Sequence, residues 1–322
     1  MKIGLLVYSQ CMASGLLAFS ELLMAANKRA GKRVFEPIWV GLEKGPIELT
    51  LGDPRMKVMI EVEEFLWHES LEHILLPGFW STNSAIMQEG FNRFESLIEA
   101  LKKIESKQKV WSYCTSVGLL AETGRLNNQT ATGTWWVADY LKQTYPKVNW
   151  RFNHTNIINK NEATACGVNG YLAFSQALIE QYCGAETWRD IADVMVIARP
   201  EKTVQPFGRI NMMMSKDKKL NKIIVWVENT LAKELSLNHL AKDLNASART
   251  ISRHVKSASG LSCAQFMRLV KLRQVGDQLM YGQKTINSIS DELGYSDDAA
   301  LRRSFKKETG YTPIEFRQAF KR

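Results

Sequence analysis

Two kinds of residue in this chain have types and spacing that could do chemistry. The first is a thiol. Cys114 stands between a strand-like run, Val110 to Tyr113, and a helix-like run, Val117 to Glu122. A residue at a sharp strand-to-helix bend is held in strained backbone, with its side chain near helix-terminal N–H groups, and this suits a nucleophile. A small residue chosen only to fit a tight turn explains Cys114 equally well. The second kind is a pair of cationic stripes. Arg249, Ser252, Arg253 and Lys256 recur at i, i+3, i+4 and i+7, as do Ala299, Arg302, Arg303 and Lys306. This spacing places each set on one helix face. A helix fits the major groove of B-DNA, where such a stripe reaches base edges and flanking phosphates. The five cysteines are odd in number and lack paired ligand spacing, so neither a metal centre nor a disulfide framework is expected.

The elements that must hold the stripes occur twice. One copy reads LAKDLNASARTISRHVKSASGLSCAQF, Leu240 to Phe266; the other reads ISDELGYSDDAALRRSFKKETGYTPIEF, Ile289 to Phe316. Leu240 and Ile289 are 49 apart, as are Leu244 and Leu293. Ile251 and Leu301 are 50 apart, as are Val255 and Phe305, Gly260 and Gly310, and Phe266 and Phe316. One residue is therefore inserted in the second turn. Each copy predicts a short helix, a turn (Asn245-Ala246-Ser247; Gly294-Tyr295-Ser296) and a second helix. The second helices bury Ile251 with Val255, and Leu301 with Phe305. Two helix-turn-helix units result, over 237–257 and 286–307.

These segments, closing with Gly310-Tyr311-Thr312-Pro313 and Phe316-Arg317, resemble the DNA-binding domain of AraC-family transcription regulators. The resemblance implies that the two units are joined by a long helix, here roughly Cys263 to Tyr281, and read successive major grooves. One departure is Asp297-Asp298-Ala299-Ala300, where the family more often has small polar residues and an aromatic. Two carboxylates there repel phosphate unless they cap the helix or accept from cytosine amino groups.

Residues 1 to about 205 alternate strands with amphipathic helices. Strands are expected at Ile3–Tyr8, Val34–Val40, Met56–Val62, Ile74–Leu76 and Val110–Tyr113. Helices are expected at Leu16–Arg29, Ala85–Glu105, Val117–Glu122, Trp135–Tyr145, Ala165–Gln181 and Thr187–Val196. Such alternation predicts a doubly wound parallel sheet covered on both faces. The fold class is therefore α/β plus all-α. The stretch VWSYCTSVGLLAETGRLNNQTATGTWW, with GLLAFSELLMAANK, ILLPGFW and TACGVNGYLAF, resembles the DJ-1/PfpI superfamily, related in fold to class I glutamine amidotransferases. With an AraC-type C-terminus it is similar to the AraC subgroup that carries such a sensor domain. The superfamily's hydrolases pair the elbow Cys with a His. Here Thr134 stands where this subgroup usually has His, and Gln10-Cys11-Met12-Ala13 lacks the acidic residue some members carry after the first strand. None of His68, His73, His154, His239 and His254 falls where the dyad needs it. General-base help is commonly worth about 10²–10⁴-fold, so a vestigial Cys114 and no enzymatic activity are expected. A Cys114-dependent hydrolase or aldehyde-handling enzyme fused to a DNA module is the competing reading. The elbow remains a candidate ligand pocket, formed by Gly78, Phe79, Trp80, Cys114, Thr115, Thr134 and Trp135, because switch-point crevices are the usual ligand sites of such sheets.

Length and charge fit this division. The 322 residues suggest two domains, with 45% apolar residues and no apolar run of membrane-span length. From Asp217 onward there are 19 Lys and Arg against 11 Asp and Glu, which accounts for +8 of the net +9. A basic module on a near-neutral body is the footprint of a nucleic-acid binder. We read 1–205 as the sensor, 206–217 as a linker and 218–322 as the DNA-binding domain, with Met212-Met213-Met214 in the linker. No secretory signal is evident, so a cytoplasmic location is expected. Expected partners are promoter DNA, a small effector such as an amino acid or quaternary amine, a second copy of the chain and, for an activator, RNA polymerase. No membrane association and no cofactor are expected.

Overall fold

Strands whose residues are apolar on both faces can be stable only inside a sheet that is covered on both sides. Lys2–Leu6 (β1), His73–Leu76 (β6) and Lys109–Tyr113 (β7) are such strands, almost wholly buried. The computed structural model describes residues 1–50, 55–81, 84–152, 154–197, 207, 217–259 and 261–320. It divides into two units, Met1–Val204 and Gln205–Arg322. Most of the expected linker, with its Met run, lies outside the described residues, as does Gly260.

In the larger unit seven strands run in the order β10-β11-β7-β6-β1-β2-β5, with β2 at Glu36–Gly41, β5 at Glu64–Phe65, β10 at Asn156–Ile158 and β11 at Glu162–Ala165, while Thr130–Ala131 (β8) and Asn149–Trp150 (β9) pair separately. All neighbours are parallel except the edge pair β10–β11. The chain first steps from β1 to β2, then returns to place β6 on the other side of β1. The switch point therefore lies between β1 and β6. Helix α1 (Ser14–Ala30) packs with α6 (Tyr171–Cys183) and α7 (Ala185–Val194), while α3 (Glu95–Lys102) packs with α2 (Ser84–Arg93) and α4 (Ser116–Glu122). Helix α1 ends where expected, on Gly31 in the left-handed conformation at φ 65°.

Several expectations are corrected. The strand over Lys57–Val62 (β4) is real, but it forms an antiparallel hairpin with Gly45–Thr50 (β3) outside the main sheet. The helix expected over 85–105 is two helices, broken at Phe94, whose ring packs edge-on against Tyr8 at 5.1 Å and Phe79 at 5.1 Å. Trp135–Val137 is a 3₁₀ turn, and α5 (Ala138–Thr144) follows it. Ala165 ends strand β11; the helix expected there starts six residues later, at Tyr171, beyond Gly167 and Gly170. Strand β11 can bury Glu162 because Arg125 Nη2 lies 2.9 Å from it, while the same guanidinium donates from Nη1 to the Ile104 carbonyl and from Nη2 to the Gln108 carbonyl.

The smaller unit is helical: α8 (Lys218–Asn229), α9 (Leu237–Asp243), α10 (Ala248–Ser259), α11 (Cys263–Tyr281), α12 (Ile286–Glu292), α13 (Asp298–Thr309) and α14 (Pro313–Phe320). The long central helix α11 has the bounds expected for it. It is buried nearly all round, by Phe266, Met267, Val270, Leu272, Val275 and Leu279 among others.

Candidate nucleic-acid interface and elbow site

The two stripe-bearing helices repeat each other in chemistry as well as in sequence. Ile251, Val255 and Ser259 of α10 are buried at the same steps as Leu301, Phe305 and Thr309 of α13. The polar member of each set closes its helix in the same way. Ser259 Oγ donates to the Val255 carbonyl at 2.6 Å and accepts from Leu261 N–H at 3.1 Å; Thr309 Oγ1 donates to the Phe305 carbonyl at 2.7 Å and accepts from Tyr311 N–H at 3.1 Å. The next helix of each copy starts with a reciprocal cap. Ser262 and Gln265 exchange bonds of 3.3 and 3.0 Å, and Thr312 and Glu315 exchange bonds of 3.3 and 2.7 Å. Burial at the back and matched caps at the ends fix what points outward. Arg249, Arg253, Lys256, Ala299, Arg303 and Lys306 are exposed; Ser252 and Arg302 are half-buried, at equivalent positions.

The turns explain the remaining departures in sequence. Asn245 takes φ 48°, which asparagine tolerates, and Gly294 takes φ 71° at the corresponding corner. Ser247 caps α10 by accepting from Thr250 N–H at 3.1 Å. Asp297 caps α13, accepting from Ala299 and Ala300 N–H at 2.8 and 3.1 Å. Its second role is to face Arg303 at 3.7 Å. One of the two carboxylates that sequence alone left ambiguous is thus a helix cap.

At the elbow, Cys114 sits at φ 63°, left-handed backbone that costs a non-glycine residue of order 1–3 kcal/mol and persists only where neighbours enforce it. The neighbours are evident. Cys114 N–H donates to the Ala165 carbonyl at 2.9 Å. Thr115 Oγ1 accepts from Phe79 N–H at 2.8 Å and donates to the Phe79 carbonyl at 2.6 Å, and Ser116 Oγ donates to the Leu76 carbonyl at 2.9 Å. Gly78 closes the gap: a Cβ on it would lie 2.7 Å from Cys114 Cβ. Across the switch point, Cys11 bridges to Phe79, and Met12 N–H donates to the Gly78 carbonyl at 2.8 Å.

Gly78, Phe79, Cys114, Thr115 and Thr134 are therefore brought together, and all are buried. Burial pushes the Cys114 thiol up, against the Thr115 N–H and the Thr134 and Thr115 hydroxyls, which favour the thiolate. Thr134 Oγ1 has no oxygen or nitrogen partner among the described residues. Trp80 is 73% exposed and lines a cavity of about 680 Å³ together with Gln10, Cys11, Ala13, Leu17 and Thr50. Sequence reasoning missed these partners; their signal is the loop after β1 reaching the switch point. Of the seven residues expected to form the pocket only Trp80 lines that cavity; Gly78, Phe79, Cys114, Thr115 and Thr134 do not, and Trp135 is half-buried against Trp136 at 5.3 Å. The histidines lie elsewhere: His68 contacts Ser70, His73 is buried edge-on to Trp111, and His239 and His254 belong to the smaller unit. The His154 carbonyl accepts from Thr132 Oγ1 at 2.7 Å, and that residue lines a separate cavity beside α6 and α7. No group of three metal-ligating side chains occurs among the described residues, and no helix described is long and apolar enough to cross a membrane.

Comparison with known proteins bears on each unit. A family profile described as a helix-turn-helix domain matches residues 240–319. The HTH-type transcriptional activator RhaS of Mannheimia succiniciproducens is 31% identical over 101 residues, which cover 31% of this chain and 38% of that protein. The chain thus spans little more than a third of the RhaS relatives it matches. The HTH-type transcriptional regulator ArgR of Pseudomonas aeruginosa is 24% identical over 221 residues, 68% of this chain and 67% of that protein. A crystal structure from Vibrio parahaemolyticus, provisionally described as a transcriptional regulator, aligns with a TM-score of 0.51 at 14% identity, covering 61% of this chain and 98% of that one. It shares the fold of the larger unit.

Proposed function

We propose, from a C-terminal unit that is an AraC-family helix-turn-helix domain, that the chain is a sequence-specific transcription regulator whose larger unit senses a small metabolite. The observation that carries this reading is the matched pair α10 and α13. Two helices with the same buried steps and the same closing hydroxyl present stripes of the same register. Arg249, Ser252, Arg253 and Lys256 read one major-groove segment, and Ala299, Arg302, Arg303 and Lys306 the next. Arg253 and Arg303 reach base edges; Lys256 and Lys306 meet phosphates.

The effector binds near the elbow, in the cavity beside Trp80 and Cys11. An exposed indole there favours a cationic headgroup by cation–π attraction, which supports an amino acid or a quaternary amine. Cys114 is a structural remnant in this reading. Its thiol is raised by burial, and Thr134 rather than a base stands beside it. The regulator works as a homodimer on paired half-sites in promoter DNA and, as an activator, contacts RNA polymerase. Effector binding changes the gain from pairing by a coupling of roughly 1–3 kcal/mol. The test is a metabolite screen by thermal shift, followed by mobility-shift titration on one and two half-sites with and without the hit. Tighter, effector-dependent binding of the paired site supports the reading. Binding that ignores every stabilising metabolite removes the sensor role, and turnover of glutamine, peptide or glyoxal that is lost in Cys114→Ser favours the enzyme.

A further inference from the structure

Phe207 lies outside both repeats, in the stretch read from sequence as a linker. It is nevertheless 4% exposed and part of the core of the smaller unit. Its ring centroid is 6.0 Å from that of Phe305 and 6.2 Å from that of Phe316. The third wall of its socket is Gly276, where a Cβ would lie 2.6 Å from Phe207 Cε2. Glycine inside a helix is destabilising relative to alanine; here its bare surface is what admits the ring into the side of α11. Phe305 is the core anchor of α13, flanked in sequence by Arg302, Arg303 and Lys306.

Ten residues further on, Asp217 caps α8 by accepting from Lys219 and Leu220 N–H at 2.9 and 3.0 Å. Its Oδ2 also lies 2.9 Å from His254 Nε2, on α10. The chain entering this unit thus touches the second stripe-bearing helix at Phe207 and the first at Asp217.

We infer that Phe207 is a positioning residue for α13, tying the second DNA-reading helix to the chain that arrives from the larger unit. This inference rests on the DNA-reading function proposed above. The cause is packing. Cores are dense and their side chains interlocked, so removing an aromatic ring leaves a cavity that neighbours fill only in part. With Phe207 withdrawn, Phe305 loses one wall, α13 loosens, and its stripe no longer holds register in the groove. Helix α10 keeps its own pin, Asp217 to His254, and its packing on α8.

The test uses the full chain and a DNA site selected from random sequence by the wild type. Phe207→Ala is expected to shorten the hydroxyl-radical footprint from two groove segments to one and to flatten the salt dependence as the phosphate contacts of α13 are lost. Gly276→Ala, which forces the ring out, is expected to do the same. The double variant is expected to be no worse than either single, because both remove one contact. Phe207→Leu, which refills most of the socket, is expected to restore both segments and serves if the alanine variant fails to fold. Hydrogen exchange supplies an arm that does not depend on DNA: amides of 298–309 exchange faster in Phe207→Ala while those of 248–259 do not. A full footprint and unchanged exchange in the alanine variant, or equal loss at both segments, overturns the inference. If the wild type selects no site, the DNA-reading proposal fails, and the exchange comparison still decides whether Phe207 positions α13.

Discussion

Gly78 and Cys114 face each other so closely that a methyl group on the glycine would lie 2.7 Å from the cysteine Cβ. The loop after β6 and the bend after β7 are therefore built as one piece. Gly78→Ala must push the two apart, and overpacking of this kind costs about 1–3 kcal/mol. Gly31→Ala is the control, because a Cβ there meets nothing within 4 Å and only its φ of 65° is strained. Denaturant unfolding should show a loss for both, and only Gly78→Ala should also abolish stabilisation by an effector.

His73 predicts an acid limit for the larger unit. Burial, with Lys109 and the N-terminal ammonium adding to it, lowers its ring to about 4 from an ordinary 6.5. Between those values the unfolded chain takes up the proton and the folded one does not, so stability falls as pH drops from about 6.5 to about 4. The loss approaches 3 kcal/mol at about 1.4 kcal/mol per unit. His73→Phe keeps the ring against Trp111 and should flatten this part of the pH–stability curve in urea titrations. A curve as steep as that of the wild type would exclude His73 as its source.

Asp297 is a cap in the structure and lies in a stripe-bearing region by sequence. Its removal in Asp297→Ala should cost about 1 kcal/mol of stability, whereas Asp297→Asn, also a good cap, should cost a few tenths. Thermal unfolding of the three proteins at one pH checks the order. Equal losses for Ala and Asn would mean that the charge facing Arg303, rather than the cap, is what matters.

Base reading and phosphate contact separate in the stripes. Arg253→Ala should cost about 1–3 kcal/mol on the preferred DNA and relax discrimination at one position. Lys306→Ala should weaken all sequences alike and reduce the slope of log K against log salt by about 0.9. Competition titrations with single-base variants at several salt concentrations distinguish the two. Wild-type discrimination in Arg253→Ala would remove that side chain from direct readout.

The two helix-turn-helix units were legible in sequence because helical period, turn residues and the 49- and 50-residue offsets agree with one another, whereas α8 and α14, outside those units, were not read from it. The bounds Cys263–Tyr281 rest instead on the resemblance to AraC-family domains, and the helix has them. The larger unit was legible where strands are aliphatic, as in Ile74-Leu75-Leu76, and illegible where a partner makes the strand. Glu162–Ala165 contains no branched aliphatic residue and owes its place to β7 beside it and Arg125 against Glu162. The pairing of Lys57–Val62 with Gly45–Thr50 is likewise a non-local choice. At the elbow, the bend at Cys114 follows from the strand–helix junction, but the cavity does not, since Cys11 arrives from the loop after β1 and Thr50 from the end of β3. Phe207 was hidden for a different reason. It stands in a stretch of sequence with no clear period, and its socket is hinted at by an unexplained glycine inside a long helix, Gly276.

Reading of DNA sequence by two matched helices is what the regulator proposal stands on. The most direct measurement is the affinity of the full chain for a site selected from random DNA, set against a scrambled duplex at the same salt concentration. A ratio of at least about 10³ is expected, as specific readers show over their own non-specific binding, falling sharply in Arg253→Ala and in Arg303→Ala. Equal affinity for the selected and scrambled duplexes, with both arginines dispensable, would contradict it.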